Sequence, residues 1–179
     1  MERGSKYGSG SSGGVGESPV RKVFGKTDSE TSISGGLFEE GSGLQQVYGN
    51  EKTQDDSPDE FSLDEGVTVV EFFRSWSADC RRQNAVISRA NRLLGNVDFI
   101  TVSDEDVVKG ELREWWSSHG NEWSIYLDDG GFAERFDVHV YPSIAVLSKG
   151  ELFHSSDGFL DSSSLIRVVE QAKKVTESQ

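Results

Sequence analysis

Apolar and polar positions alternate in blocks along the C-terminal part of the chain. The β-branched and aromatic block Val67–Phe73 is nearly continuous and short, which is typical of a central strand covered on both faces. Apolar residues at three-to-four spacing over 85–94 predict a helix that ends near Gly95. The block 97–102 then predicts a second strand, and the acidic-started stretch 105–118 predicts a second helix.

The same pattern continues to the end of the chain with shorter elements. Residues 123–127 predict a strand, 132–136 a short helix, and 141–147 a strand that begins at a proline, where no hydrogen-bond donor is needed. A return strand over 151–155 and a helix over 161–174 follow. Strands alternate with helices before a hairpin and a helix close the domain. The predicted fold class is therefore α/β, with a central mixed sheet flanked by helices.

The N-terminal part of the chain has a different composition. Residues 1–42 are rich in Gly and Ser and contain few large apolar residues, so they cannot bury enough surface to offset the entropy of ordering. They are predicted to be a disordered tail. Residues 43–66 are predicted to be a polar linker that can carry a short edge strand at Leu44–Tyr48, and residues 67–175 are predicted to be the folded domain.

The charge of the chain excludes two classes of partner. Asp and Glu number 31 against 18 Lys and Arg, which gives a formal net charge of -13. Such a chain repels nucleic acid and anionic membrane surfaces, so neither is predicted as a partner. The first residues lead into Gly and Ser rather than an apolar run, and no stretch approaches membrane-spanning length. A cytoplasmic location is the resulting expectation.

Four separated features agree with one family in order and spacing. Trp76–Cys80 follows the predicted central strand, and Glu71 stands six residues before Ser77. Pro142 opens the predicted hairpin, and Gly150 and Gly158 follow it at the spacing of a hairpin turn and a later glycine. This set resembles the thioredoxin-like superfamily. That family has a Trp-Cys-x-x-Cys motif at a helix N-terminus, a buried acid six residues before the first cysteine, and a cis-proline. The resemblance implies a thioredoxin-like fold over residues 67–175.

The segment between Cys80 and Pro142 is longer than in minimal thioredoxins. It contains an added strand, turn and helix over 123–136. This strand–helix insertion before the cis-proline loop is similar to the one in TlpA/ResA-like thioredoxins and to that in peroxiredoxins. The resemblance is therefore closest to the TlpA/ResA-like group, with a degenerate Ser-x-x-Cys motif.

The resemblance implies three catalytic positions, namely Ser77, Cys80 and Glu71. Dithiol exchange needs two thiols, but Cys80 is the only cysteine and Ser77 stands where the first thiol would be. A helix N-terminus, with Arg81 and Arg82, would favour the thiolate of Cys80, and the alternative is a buried, inert cysteine. Glu71 is a candidate proton acceptor for that thiol, and its alternative is a strand residue at a solvated sheet edge.

The resemblance also implies a substrate-binding surface made of Trp76, Tyr141 and Pro142. Thioredoxin folds hold extended peptides beside the cis-proline, and this ability does not need the first cysteine. The predicted partner is therefore an extended or thiol-bearing peptide or protein.

Two functional hypotheses follow. The first is a degenerate thioredoxin module that binds a peptide or protein. The alternative is a single-cysteine thiol oxidoreductase, with glutathione as an external resolving thiol, or a weak peroxidase like the Thr-x-x-Cys peroxiredoxins. Phe73 stands where the peroxiredoxin pattern has a proline, which weakens the peroxidase reading. No cofactor or metal is predicted, because the three histidines lack metal-ligand spacing.

Overall fold

The computed structural model describes residues 44–49 and 66–178. The predicted tail over 1–42 and most of the predicted linker lie outside these residues. The described elements, in chain order, are β1 (Leu44–Tyr48), β2 (Val67–Phe73), α1 (Ala78–Leu93), β3 (Val97–Ser103), α2 (Lys109–Ser118), β4 (Ser124–Asp128), α3 (Phe132–Arg135), β5 (Ser143–Ser148), β6 (Glu151–Asp157) and α4 (Ser162–Glu177).

Six strands form one mixed sheet in the order β1-β4-β3-β2-β5-β6. The central strands β2, β3 and β4 are parallel, whereas β1, β5 and β6 each run antiparallel to a neighbour. Strand β2 pairs on both sides and all seven of its residues are buried. The predicted mixed sheet flanked by helices is confirmed. The short strand β1 lies at the sheet edge, as predicted, so the sheet begins at Leu44.

Alternate residues of β2 reach two hydrophobic clusters on opposite faces of the sheet. Val69 and Phe73 pack with buried residues of α1, α2 and α4. Val70 and Phe72 pack with α3. Glu71 is two residues from Val69 and two from Phe73 along β2, so its side chain lies on the same face as theirs, the one covered by α1, α2 and α4.

The sequence predicted a helix that starts at Glu105, but α2 begins at Lys109. The carboxylate of Glu105 accepts hydrogen bonds from the backbone N–H and the hydroxyl of Ser75, at 2.9 and 2.7 Å, and from the hydroxyl of Ser103 at 2.8 Å. These bonds hold the side chain of Glu105 beside the ends of β2 and β3, and the helix starts four residues later.

The buried face of α1 also differs from its predicted apolar stripe. Ala85 and Leu93 are exposed, while the polar residues Gln83 and Asn84 are buried beside Ile87. The side chain of Gln83 bonds both backbone groups of Leu160, which lets it lie inside the fold. Within the described ranges, no helix is long and apolar enough to cross a membrane.

Candidate functional site

Ser77 is the residue at which α1 begins. Its backbone is extended, with φ -80° and ψ 123°, and its hydroxyl accepts a hydrogen bond from the backbone N–H of Cys80 at 3.3 Å. A serine at this capping position stabilises a helix by about 1 kcal/mol relative to alanine. Ser77 therefore has a structural role of its own.

Cys80 lies in the first turn of α1 and is fully buried. Its Sγ accepts a hydrogen bond from the backbone N–H of Arg74 at 3.4 Å. Burial raises the pKa of the Cys80 thiol, while hydrogen bonds with Ser77 and Arg74 lower it by less and the charge of Glu71 raises it further. The shift is opposite to the one that an activated thiolate requires.

The two arginines that follow Cys80 interact with other groups. Arg81 donates from Nη1 to the backbone carbonyl of Ser75 at 3.2 Å. The guanidinium of Arg82 pairs with the carboxylate of Asp79 at 3.1 Å, and its central carbon lies 4.4 Å from the centre of the Phe159 ring. Each guanidinium therefore interacts with a group other than the Cys80 thiol.

Glu71 is fully enclosed at the centre of β2, so the alternative of a solvated sheet edge is wrong. Its two carboxyl oxygens accept hydrogen bonds from Nδ2 of Asn84, each at 3.0 Å, and one also accepts from the hydroxyl of Thr101 at 2.8 Å. Burial raises the pKa of Glu71 from its ordinary value of 4.5 to about 8, because these neutral donors offset only part of the cost of removing the charge from water.

The contacts of Glu71 extend into a buried polar network that the sequence did not predict. The amide of Asn121 donates to Oδ1 of Asn84 at 2.9 Å, and the indole N–H of Trp123 donates to Oγ1 of Thr101 at 2.8 Å. The members come from β2, α1, β3 and the segment before β4. The network therefore joins α1 to the strands β2 and β3 and to the segment that leads into β4.

A second unpredicted group lies where β2 and β3 end. Arg74 donates two hydrogen bonds to the carboxylate of Asp104, at 3.0 and 2.9 Å, and the hydroxyl of Tyr141 donates to the same carboxylate at 2.7 Å. Burial alone would raise the pKa of Asp104, but the bonds from Arg74 and Tyr141 outweigh it and hold that pKa below its ordinary value. Because Phe73 pairs with Ser103 in parallel register, the next residues on both strands necessarily lie side by side.

The same arginine connects two of the predicted binding residues. Its guanidinium carbon lies 4.0 Å from the ring centre of Tyr141 and 5.9 Å from that of Trp76. The Tyr141–Pro142 peptide bond is cis, and the carbonyl of Pro142 accepts a hydrogen bond from the backbone N–H of Gly158 at 2.8 Å. Pro142 itself is buried and Tyr141 is half-buried.

Three large apolar side chains are exposed on the loops around the cis-proline. Trp76 is 69% exposed, Val140 45% and Phe159 38%. Val140 precedes the cis peptide bond, and Phe159 follows the glycine that bonds Pro142. Of the three predicted binding residues, only Trp76 therefore presents a large exposed surface, and the sequence missed Val140 and Phe159. We call Trp76, Val140 and Phe159 the apolar rim.

Within residues 44–49 and 66–178, no group of three or more His, Cys, Asp or Glu side chains is placed to hold a metal ion. The polar groups at the site are instead paired with one another, as the carboxylates of Glu71, Asp104 and Glu105 show.

Comparison with known proteins identifies the fold. No protein-family model and no curated protein matches the chain. Among solved structures, a thiol-disulfide isomerase from Corynebacterium glutamicum is 18% identical, with a TM-score of 0.59 over 72% of this chain and 90% of that one. The chain has the thioredoxin-like fold.

Two other solved structures share this thioredoxin-like fold. The pneumococcal exposed lipoprotein thioredoxin Etrx1 from Streptococcus pneumoniae is 18% identical, with a TM-score of 0.55 over 61% of this chain and 87% of that one. StoA from Bacillus subtilis is 18% identical, with a TM-score of 0.52 over 58% of this chain and 83% of that one. At these identities the likeness concerns the fold.

Proposed function

We propose that the thioredoxin-like domain is a binding module that holds an extended peptide or a protein partner beside the cis-proline. The observation that carries this proposal is the contrast between the exposed apolar rim and the enclosed Cys80 next to it. Tryptophan, tyrosine and arginine are enriched among the residues that carry most of the binding energy of an interface. The module would bind through Trp76 while the thiol takes no part.

The chemistry of the site supports binding over dithiol exchange. Cys80 is the only cysteine of the chain, so a mixed disulfide formed on it would have no internal thiol to resolve it. Burial also raises the pKa of Cys80, which lowers the thiolate fraction at neutral pH. Ser77 supplies a helix cap instead of a nucleophile.

The fixed position of Arg74 also supports the proposed binding surface. Arg74 is fixed by two hydrogen bonds to Asp104 and lies against the rings of both Trp76 and Tyr141. A side chain that is already positioned loses less conformational entropy when a partner binds. The pairing of an extended peptide with the loop beside Pro142 would then add backbone hydrogen bonds.

Peptide selection followed by a matched pair of substitutions tests the proposal. A phage-displayed library of random peptides is panned against the domain, and affinities of the selected peptides are measured by fluorescence anisotropy. Trp76→Ala should weaken binding about tenfold or more, the scale of an interface hot spot. Leu93→Ala, which removes an exposed apolar side chain at the far end of α1, should leave binding unchanged. Equal affinities for Trp76→Ala and the unaltered domain would refute the proposal.

A single-cysteine thiol oxidoreductase, with glutathione as the resolving thiol, is the second candidate. The proximity of Glu71 supports it, because a carboxyl with a pKa of about 8 can accept and return a proton at neutral pH. Alkylation of native Cys80 below the ordinary thiol pKa would favour this enzyme, and reaction only after denaturation would exclude it.

The β4–α3 insertion supports the finer assignment to TlpA/ResA-like thioredoxins. A cytoplasmic location stays a prediction.

A further inference from the structure

A groove of about 290 Å³ lies between α1 and the C-terminal part of α2, apart from the apolar rim. It has basic, aromatic and neutral polar walls and no carboxylate among its lining residues. The side chains that matter here are Arg81, Ser88, Arg92, Trp115, His119 and Asn121.

One wall of the groove is a single face of α1. Arg81, Ala85, Ser88 and Arg92 line it, and their spacing of three or four residues puts them in one row along the helix. The two arginines are eleven residues apart, which corresponds to about 16 Å along the helix axis. The groove therefore has a cation near each end of this wall.

Neither arginine is neutralised within the described part of the chain. Four ion pairs occur there, and neither Arg81 nor Arg92 is in any of them. The neighbouring Arg82, by contrast, pairs with Asp79.

The opposite wall is flat and held in place. The rings of Trp115 and His119 stack with centres 3.9 Å apart and an interplanar angle of 20°. Nδ1 of His119 lies 2.7 Å from the carbonyl oxygen of Trp115, so this nitrogen carries the hydrogen and donates. Asn84 and Asn121 form a buried floor through their mutual hydrogen bond.

We propose that this groove is a binding site for an elongated organic anion with a negative group at each end. A guanidinium recognises a carboxylate or a phosphate through paired hydrogen bonds, and one lies towards each end of the row. Arg81 donates one bond from Nη1 to the carbonyl of Ser75, and the other N–H groups of its guanidinium would meet the anion. The stacked Trp115 and His119 rings offer an apolar wall to the middle of such a molecule. A dicarboxylate and a bisphosphate share this chemistry.

Isothermal titration calorimetry on the full chain tests the site with two probes, the dicarboxylate suberate and fructose bisphosphate. Binding of either probe supports the site, and the tighter one identifies the class of anionic group. Octanoate has the chain length of suberate but one carboxylate, so it should bind about tenfold more weakly or worse. Absence of heat with both probes at millimolar concentration would overturn the proposal.

Three substitutions on α1 separate a built site from general charge attraction. Arg81→Ala and Arg92→Ala should each weaken probe binding about tenfold. Arg89→Ala makes the same change of charge on the same helix, but Arg89 is exposed and does not line the groove, so its affinity should stay within about twofold. An equal loss in all three variants would refute the site. Much tighter binding of a polyglutamate peptide than of either probe would overturn the small-molecule assignment.

Discussion

Glu71 lies on β2 and Asp104 directly follows the adjacent parallel strand β3, yet the environments of these two carboxylic acids shift their pKa values in opposite directions. Glu71 is enclosed at the centre of β2 and meets only the neutral donors Asn84 and Thr101. Asp104 follows the end of β3, is half-buried and receives two bonds from a guanidinium. Burial raises the pKa of Glu71 to about 8, whereas the bonds to Asp104 lower its pKa despite burial.

The difference shows what compensates a buried carboxylate. Neutral amide and hydroxyl donors supply hydrogen bonds, but they do not replace the solvation of a full negative charge. A guanidinium supplies both the hydrogen bonds and the opposite charge. At Glu71 the cost of removing the charge from water therefore outweighs the three hydrogen bonds, and the pKa rises. At the more open Asp104 the bonds from Arg74 and Tyr141 outweigh that cost, and the pKa falls.

The largest expected effect is on the pH dependence of stability through Glu71. Because its pKa is higher in the folded state, its contribution is fully present below about pH 4.5 and is lost as pH rises through about 8. At about 1.4 kcal/mol per pKa unit, the free energy of unfolding should fall by up to about 5 kcal/mol over that range. Urea unfolding at a series of pH values measures the slope, and Glu71→Gln should remove it. A slope that persists in Glu71→Gln would assign it to other groups.

A smaller loss is expected from Asn84→Ala, which removes the donor shared by both oxygens of Glu71. The substitution also leaves the amide of Asn121 without its acceptor. Two buried polar groups that lose partners should lower the free energy of unfolding by about 3 kcal/mol. Arg89→Ala, an exposed change one turn further along α1, should cost no more than about 0.5 kcal/mol. Similar urea midpoints for the two variants would contradict the buried network.

The smallest effect is expected from Asp104→Asn. It removes one charge of a partly exposed, doubly bonded pair with Arg74, which should cost about 1 kcal/mol at neutral pH. Because the pKa of Asp104 is lowered on folding, this contribution is present above the ordinary Asp pKa and is lost as pH falls. The difference in free energy of unfolding between Asp104→Asn and the unaltered chain should therefore shrink as pH falls. The contribution of Glu71 is instead lost as pH rises. A gap that widens in acid would contradict this.

Elements with strong local signals were predicted well from the sequence. The continuous apolar run of β2 indicated a buried central strand, and Asp161 was placed at the start of α4, where its carboxylate caps the helix by accepting from the backbone N–H of Ser164 at 3.0 Å. Leu44–Tyr48 was also found as an edge strand. In each case the residues that define the element are adjacent along the chain.

Features that depend on distant residues were missed. The start of α2 was misplaced because Glu105 reaches Ser75, thirty residues away, and a propensity argument sees only the acidic stretch. The predicted apolar stripe over 85–94 did not include the buried residues Gln83 and Asn84, because their hydrogen-bond partners come from other elements. The Arg74–Asp104 pair depends on strand order, because Arg74 and Asp104 each follow a predicted strand but only the structure shows that these strands are parallel neighbours.

The capping serine at position 77 has a consequence for where this protein can work. With a hydroxyl at that position and Cys80 the only cysteine of the sequence, no disulfide can form between two of its own residues, whatever the oxidant or reductant around it. A dithiol relative changes its bonding when it moves between reducing and oxidising surroundings. Under the proposed binding function, this chain would present the same surface to a partner in both surroundings, so its binding would not depend on an internal disulfide.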